Sequence, residues 1–177
     1  TFGVILLALV DGVPKVLNLK EVIKLFVDHR HDVLIRRTNY ELNQAEARAH
    51  ILEGLKVALE NIDQVIDIIK GSKDPKQAKE GLINAFDLTE KQCQAILDMR
   101  LQRLTGLEVD KINQEYKEII QLISELKGIL DSHTKQMSII KSELVEISEK
   151  YGEERKTEIV PVGTTFSVED MIVDEDR

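Results

Sequence analysis

Apolar residues recur at helical spacing through most of this chain. In the stretch 19–62 the clearest stripe is Leu42, Ala45, Ala49, Leu52, Leu55, Leu59 and Ile62, spaced by three or four residues. That spacing is close to a coiled-coil seam and predicts one very long helix or two nearly collinear ones. The stretch has no proline and a single glycine, Gly54, and its two stripe alanines should let a partner helix approach closely. A stricter seam follows at Ile112, Tyr116, Ile119, Ile123, Leu126, Leu130, His133, Met137, Ile140, Leu144, Ile147 and Tyr151. Unbroken, it would span roughly 60 Å at 1.5 Å per residue. Asp131-Ser132-His133-Thr134 interrupts it with poor helix formers, so a kink or restart is expected there.

Local signals divide the rest. Val4–Val10 and Val13–Leu17 are β-prone runs split by Asp11-Gly12, a hairpin signal because both turn residues need positive φ. Two strands alone are marginal, so this pair should complete a larger sheet. Asn18 with Glu21, and Thr89 with Gln92, have capping-box spacing. Asp74-Pro75 reads as a cap followed by proline in the first turn. Three short helices are therefore expected between the long ones: Asp63–Lys70 stopped by Gly71-Ser72, one from Pro75 to near Phe86, and one from Thr89 to Thr105-Gly106, with Gly106 as its left-handed stop.

The two seams meet if the returning helix runs antiparallel. Matching Ile62 to Ile112 puts Leu52 near Leu122 or Ile123, and Leu42 near Leu130 to His133. The expected fold is mainly α: a long antiparallel two-helix coiled coil with a small helical globule at its tip, plus a short N-terminal β-hairpin. The seam residues are Leu42, Ala45, Ala49, Leu52, Leu59, Ile112, Tyr116, Ile119, Ile123, Leu126 and Leu130. Each large aliphatic side chain buried along them contributes about 1.5–3 kcal/mol before chain entropy.

Composition sharpens this picture. Aromatics are 4% of 177 residues and tryptophan is absent, which suits helix-on-helix packing and argues against a β-sandwich. A net charge of −8 gives no general reason to bind DNA, so a basic patch must be local. One cysteine, Cys93, excludes an internal disulfide. No 18-residue apolar run predicts a membrane span. The first residue is Thr1, which suggests a piece of a longer chain.

Candidate chemistry is sparse. The sequence lacks a glycine-rich phosphate loop, G-x-S-x-G and H-E-x-x-H. His29 and His31 sit two apart and make a poor metal pair on a helix. Cys93 lies in a helix's first turn, where a thiol can be activated, but its neighbours Gln92 and Gln94 favour a packing role. Arg30, Arg36 and Arg37 form one basic cluster, readable as contacts to DNA phosphates or as partners for the returning helix at Glu143 and Glu146. Ile96, Leu97, Met99, Leu101 and Leu104 crowd more than one helical face with apolar groups. One face should pack inside the globule, and the excess points to a second molecule, by default a two-fold contact between copies.

At these residues the chain resembles the A subunits of bacterial type IIA DNA topoisomerases, gyrase more than topoisomerase IV. The strings are AEARAHILEGL at Ala45–Leu55, LTEKQCQAILDMRLQRLTGLE at Leu88–Glu108, EYKEIIQLISELKGIL at Glu115–Leu130, RKTEI at Arg155–Ile159 and LLALVDGVPKVLNLK at Leu6–Lys20. The resemblance covers about residues 1–160. It implies the end of the upstream tower domain at 1–18 and the outgoing coiled-coil helix at 19–62. A globular dimerisation tip, or C-gate, would occupy 63–108, with returning helices at 109–151. A linker at 152–177 would lead towards a DNA-wrapping domain.

The resemblance further implies a homodimer of the A subunit within an A2B2 complex with the B subunit, acting on double-stranded DNA in the bacterial cytoplasm. The dimer would be held at Ile96, Leu97, Met99, Leu101 and Leu104, and would open to release the transported duplex during ATP-dependent supercoiling. Mg2+ and ATP would belong to the B subunit, with no cofactor in this segment. The family cleaves DNA with a tyrosine preceded by arginine. Tyr40, Tyr116 and Tyr151 follow Asn39, Glu115 and Lys150, so no catalytic residue is assigned and the segment alone should be inactive. Two departures stand out: Cys93 replaces a more usual alanine, and the tip lacks an insertion some members carry. Hinges are expected near Asp28–Asp32 and Asp131–Thr134. The rival from another class is a structural tether like the coiled coils of chromosome-organising ATPases, which would leave the hairpin unexplained.

Overall fold

The computed structural model describes residues 4–100 and 106–157. It is mainly helical, with a two-stranded antiparallel sheet at the start. Strands β1 (Leu6–Val10) and β2 (Val13–Leu17) pair with Val10 opposite Val13. Asp11 and Gly12 turn the hairpin at φ 52° and 78°, the left-handed backbone that a two-residue turn between twisted strands requires. The hairpin leaves Ile5, Leu7, Leu9 and Val16 exposed.

Helix α1 runs unbroken from Leu19 to Glu60. At its start the Asn18 side chain accepts from the Glu21 amide, and the Glu21 carboxylate accepts from the Asn18 amide, both at 2.9 Å. This reciprocal pair satisfies two amides that the first turn would otherwise leave unbonded. At the far end Asn61 leaves helical geometry and bonds back to the Val57 carbonyl, and α2 (Ile62–Gly71) starts at once. Helix α3 (Pro75–Phe86) opens on the Asp74 side chain and closes at Asp87, which adopts φ 52°. Helix α4 (Glu90–Leu97) opens on the Thr89–Gln92 capping box.

The expected third short helix is shortened. Helix α4 stops at Leu97, where the Asp98 amide closes on Gln94 and the Met99 amide on Ile96. Gly106 opens α5 (Gly106–Leu130) instead of ending α4. Apolar residues continue past Leu97, so composition alone extended the helix beyond its cap. The restart at Asp131–Thr134 is present: α5 ends at Leu130 and α6 (His133–Tyr151) begins after Ser132.

Residues 1–141 and 142–177 form two compact units. In the first, α1 packs along α5, antiparallel as the seams require. Lys127 pairs with Glu46 at 2.8 Å and Arg48 with Glu115 at 2.6 Å, so numbers rise on one helix as they fall on the other. Ala45, Ala49 and Leu52 of α1 are buried, as are Ile112 and Leu126 of α5. Leu42, Leu59, Tyr116, Ile119, Ile123 and Leu130 are half-buried, whereas off-stripe Ile120 and Leu122 are exposed. The buried stripe of α1 also extends back through Thr38 to Leu34, with the Thr38 hydroxyl satisfied by the Leu34 carbonyl at 2.9 Å. In the second unit, the described part of α6 keeps Leu144 half-buried and Val145, Ile147 and Tyr151 exposed.

Candidate functional site

A buried core lies where α2, α3 and α4 meet the C-terminal half of α1. Leu52, Leu55 and Ala58 of α1 enclose a core with Val65, Leu82, Leu88, Cys93, Ile96 and Ile112. Leu52 and Leu82 are wholly buried, which anchors the short helices to the long one. These helices are too short to persist alone, so this burial is what holds them.

A polar fastening accompanies the apolar core. Gln92 of α4 is buried, and its Oε1 accepts from the Thr89 amide at 2.9 Å. Its Nε2 donates to the His50 carbonyl of α1 at 2.8 Å, and the His50 ring reaches the Thr89 hydroxyl at 2.7 Å. One glutamine thus caps its own helix and ties that helix to α1. Gly54 makes the approach possible, since a Cβ there would lie 2.6 Å from Gln92 Cγ and 2.7 Å from Gln92 Cβ. A lone glycine in a long helix is therefore a contact surface.

The five apolar residues expected at a contact between copies separate by position. Ile96 is buried in the core of its own chain. Leu97 and Met99 are half-buried at the end of α4. Leu101 and Leu104 lie outside the described residues. Beside Met99 is an open cavity of about 570 Å³ whose lining includes Ile51, Leu55 and Ala95 with Arg48, Arg100 and Glu108.

The basic cluster has internal partners. Arg36 pairs with Asp32 one turn away at 2.9 Å, both side chains well exposed. That partner belongs to its own helix rather than to the returning one. Arg30 and Arg37 are each engaged in an interaction as well. Among the described residues no group of three His, Cys, Asp or Glu side chains could hold a metal ion. No described helix is long and apolar enough to cross a membrane. Burial pushes the Cys93 thiol above its ordinary value, with the Lys79 ammonium and a backbone hydrogen bond partly opposing. That direction, and complete burial, fit a packing residue rather than a nucleophile.

Sequence reasoning missed three buried polar side chains, Thr38, Gln92 and Gln136. Gln92 could have been found, because a capping-box glutamine beside an apolar run already faces inward. Gln136 could not, because it lies off the seam counted through the helix break.

The family model for the A subunits of DNA gyrase and topoisomerase IV matches residues 1–145. The chain belongs to that family. The DNA gyrase A subunit of Halalkalibacterium halodurans is 55% identical over 172 residues, covering 97% of this chain and 21% of the relative. That of Clostridium acetobutylicum is 53% identical over 175 residues, covering 99% and 21%. That of Helicobacter pylori J99 is 48% identical over 175 residues, again covering 99% and 21%. The chain thus spans about a fifth of the length of these gyrase relatives. The resemblance read from AEARAHILEGL and LTEKQCQAILDMRLQRLTGLE is met by this family membership.

Proposed function

We propose that this segment is the C-gate of a type IIA topoisomerase, the contact that holds two A subunits together and opens to release a transported duplex. The observation that carries the reading is the end of α4. Leu97, the last residue of α4, and Met99, two residues past it, border the core that Cys93 and Ile96 fill yet keep part of their apolar surface uncovered. Apolar groups left over on a rigidly fastened helix suit a two-fold contact with a second copy. In this reading the setting is an A2B2 enzyme completed by the B subunit, acting on double-stranded DNA in the bacterial cytoplasm.

Strand cleavage belongs to an arginine-preceded tyrosine elsewhere in such an enzyme. Tyr40, which is exposed, and Tyr116, which lies beneath the Lys56 ammonium at 5.9 Å, do not follow an arginine. This reading assigns Mg2+ and ATP to the B subunit. Arg30, Arg36 and Arg37 would meet a passing duplex. The exposed Arg36–Asp32 pair is weak enough for phosphate to compete.

The test is a reversible lock. Met99→Cys in the full-length protein should cross-link between copies under oxidation, while buried Cys93 stays silent. The locked enzyme should cleave DNA but lose supercoiling, and reduction should restore it. Failure to cross-link, or full supercoiling by the locked enzyme, overturns the assignment.

A further inference from the structure

The break between α5 and α6 is bolted by one side chain. Gln136, in the first turn of α6, is 5% exposed. Its Nε2 donates to the Ile129 carbonyl at 2.8 Å and the Leu130 carbonyl at 2.9 Å. These belong to the last turn of α5, where the intrahelical bonding pattern ends; the Ile129 carbonyl also accepts from the Ser132 amide at 3.3 Å. With both protons used there, Oε1 is left to accept, and it lies 2.8 Å from His31 Nε2 on α1. His31 Nε2 must therefore carry hydrogen and donate. The His31 ring also meets His133 edge-on, with centroids 5.2 Å apart. Lys135 adds a cation to the same turn: its Nζ lies 3.3 Å from where a Cβ at Gly128 would stand. A cation there complements the negative end of α5.

We infer that Gln136 and His31 form a polar latch at which the returning helix is released and re-seated on α1. It joins the two places where hinges are expected, Asp28–Asp32 and Asp131–Thr134. Of these, α1 itself is continuous through 28–32, so the bending belongs to the α5–α6 break and α1 supplies the fixed side. Closed, the latch satisfies two carbonyls, one amide and one imidazole inside the protein. Open, water takes over the same bonds. Exchanging protein for water partners changes the free energy little, so both states are accessible, whereas an apolar bolt would strongly favour closure. Ser132 prepares the restart, since its carbonyl accepts from the Gln136 amide at 3.0 Å and keeps the first turn of α6 formed. As a device for opening, the latch rests on the gate reading above. As a bolt, it rests on the hydrogen bonds alone.

The experiment uses the full-length protein. Gln136→Met keeps the volume and removes every latch bond. Backbone amides at 132–136 should exchange with deuterium roughly tenfold faster, the loss expected when buried carbonyls lose their donor. His31→Phe should give a smaller rise, and the double variant no more than Gln136→Met alone, because both act on one contact. Unchanged exchange, or effects that simply add, overturns the latch. In the assembled enzyme, Gln136→Met should change the rate of strand passage while leaving DNA cleavage unchanged. An altered exchange rate with unaltered strand passage removes the latch from gate opening. Failure of the Met99→Cys lock in the unmutated background instead removes the gate, and leaves the exchange result to decide the bolt.

Discussion

A methyl group added at Gly54 has nowhere to go. It would stand inside contact distance of both Cβ and Cγ of Gln92, and neither the capped first turn of α4 nor the middle of α1 can shift freely. Gly54→Ala should therefore lower stability by about 1–3 kcal/mol despite alanine's better helix propensity. Gly71 is the control, a helical position with nothing within 4 Å of a built Cβ. Gly71→Ala should leave stability unchanged or raise it by about 0.4–1 kcal/mol. Urea unfolding of the two variants checks both signs. The thiol in the same core makes a second residue-scale prediction. Because burial holds Cys93 protonated above its ordinary value, the unfolded chain releases that proton first as pH rises. The unfolded state then binds fewer protons, so the stability from the neutral thiol is complete below about 9.0 and falls as pH climbs from there through the raised folded value. Cys93→Ala should flatten that alkaline loss, read from unfolding curves followed from neutral pH to the alkaline limit of the fold.

At the scale of elements, close approach of α1 and α5 depends on side chains that are small. Ala45 and Ala49 are buried beside the Glu46–Lys127 and Arg48–Glu115 pairs, which sit at the solvent edge of the same seam. Exposed pairs of this kind contribute only tenths of a kcal/mol, so the alanines and leucines decide the helix pairing. Ala49→Leu should cost about 1–3 kcal/mol by forcing the helices apart, more than Arg48→Ala, which removes an ion pair and leaves the packing. Thermal unfolding of the two variants ranks them. The same contrast explains what was legible in the sequence. Asn18–Glu21, Asp74-Pro75, Thr89–Gln92 and Asp11-Gly12 act within four residues, so local chemistry fixes them and each is found where expected. The end of α4 was misjudged because Asp98, which receives the Gln94 side-chain amide at 2.8 Å, closes the helix while apolar residues continue. Across the α5–α6 break the seam departs from its count for one turn. Counting through it expects His133, Met137 and Ile140 inside; Ile140 is buried and Met137 half-buried, but His133 is exposed and off-seam Gln136 is buried. A restart disturbs the rotation over its first turn, so the inward position there passes from His133 to Gln136 while Ile140 keeps its place. His31 then meets Gln136, nearer the break than a continuous register implies.

For the whole molecule, net charge and apolar surface pull in opposite directions. Two copies at −8 each repel at long range, so the contact proposed at the end of α4 would have to rest on desolvated apolar groups at short range. Salt separates the two terms. At physiological ionic strength the Debye length is about 8 Å, and raising salt shortens it further, screening the repulsion while leaving apolar burial intact or stronger. Self-association should therefore hold or tighten as salt rises, the reverse of a contact built on ion pairs. Leu97→Asp or Met99→Asp should weaken it by roughly tenfold or more, since a carboxylate must then be desolvated at an apolar contact. Ile96→Asp is a different experiment, because Ile96 is sealed in its own core and the variant should unfold the α2–α4 cluster before it alters any contact between copies. Sedimentation velocity at two salt concentrations, with circular dichroism to confirm that Leu97→Asp stays folded, distinguishes these cases. Dissociation on adding salt, or a Leu97→Asp chain that associates as before, would place the contact between copies away from the end of α4.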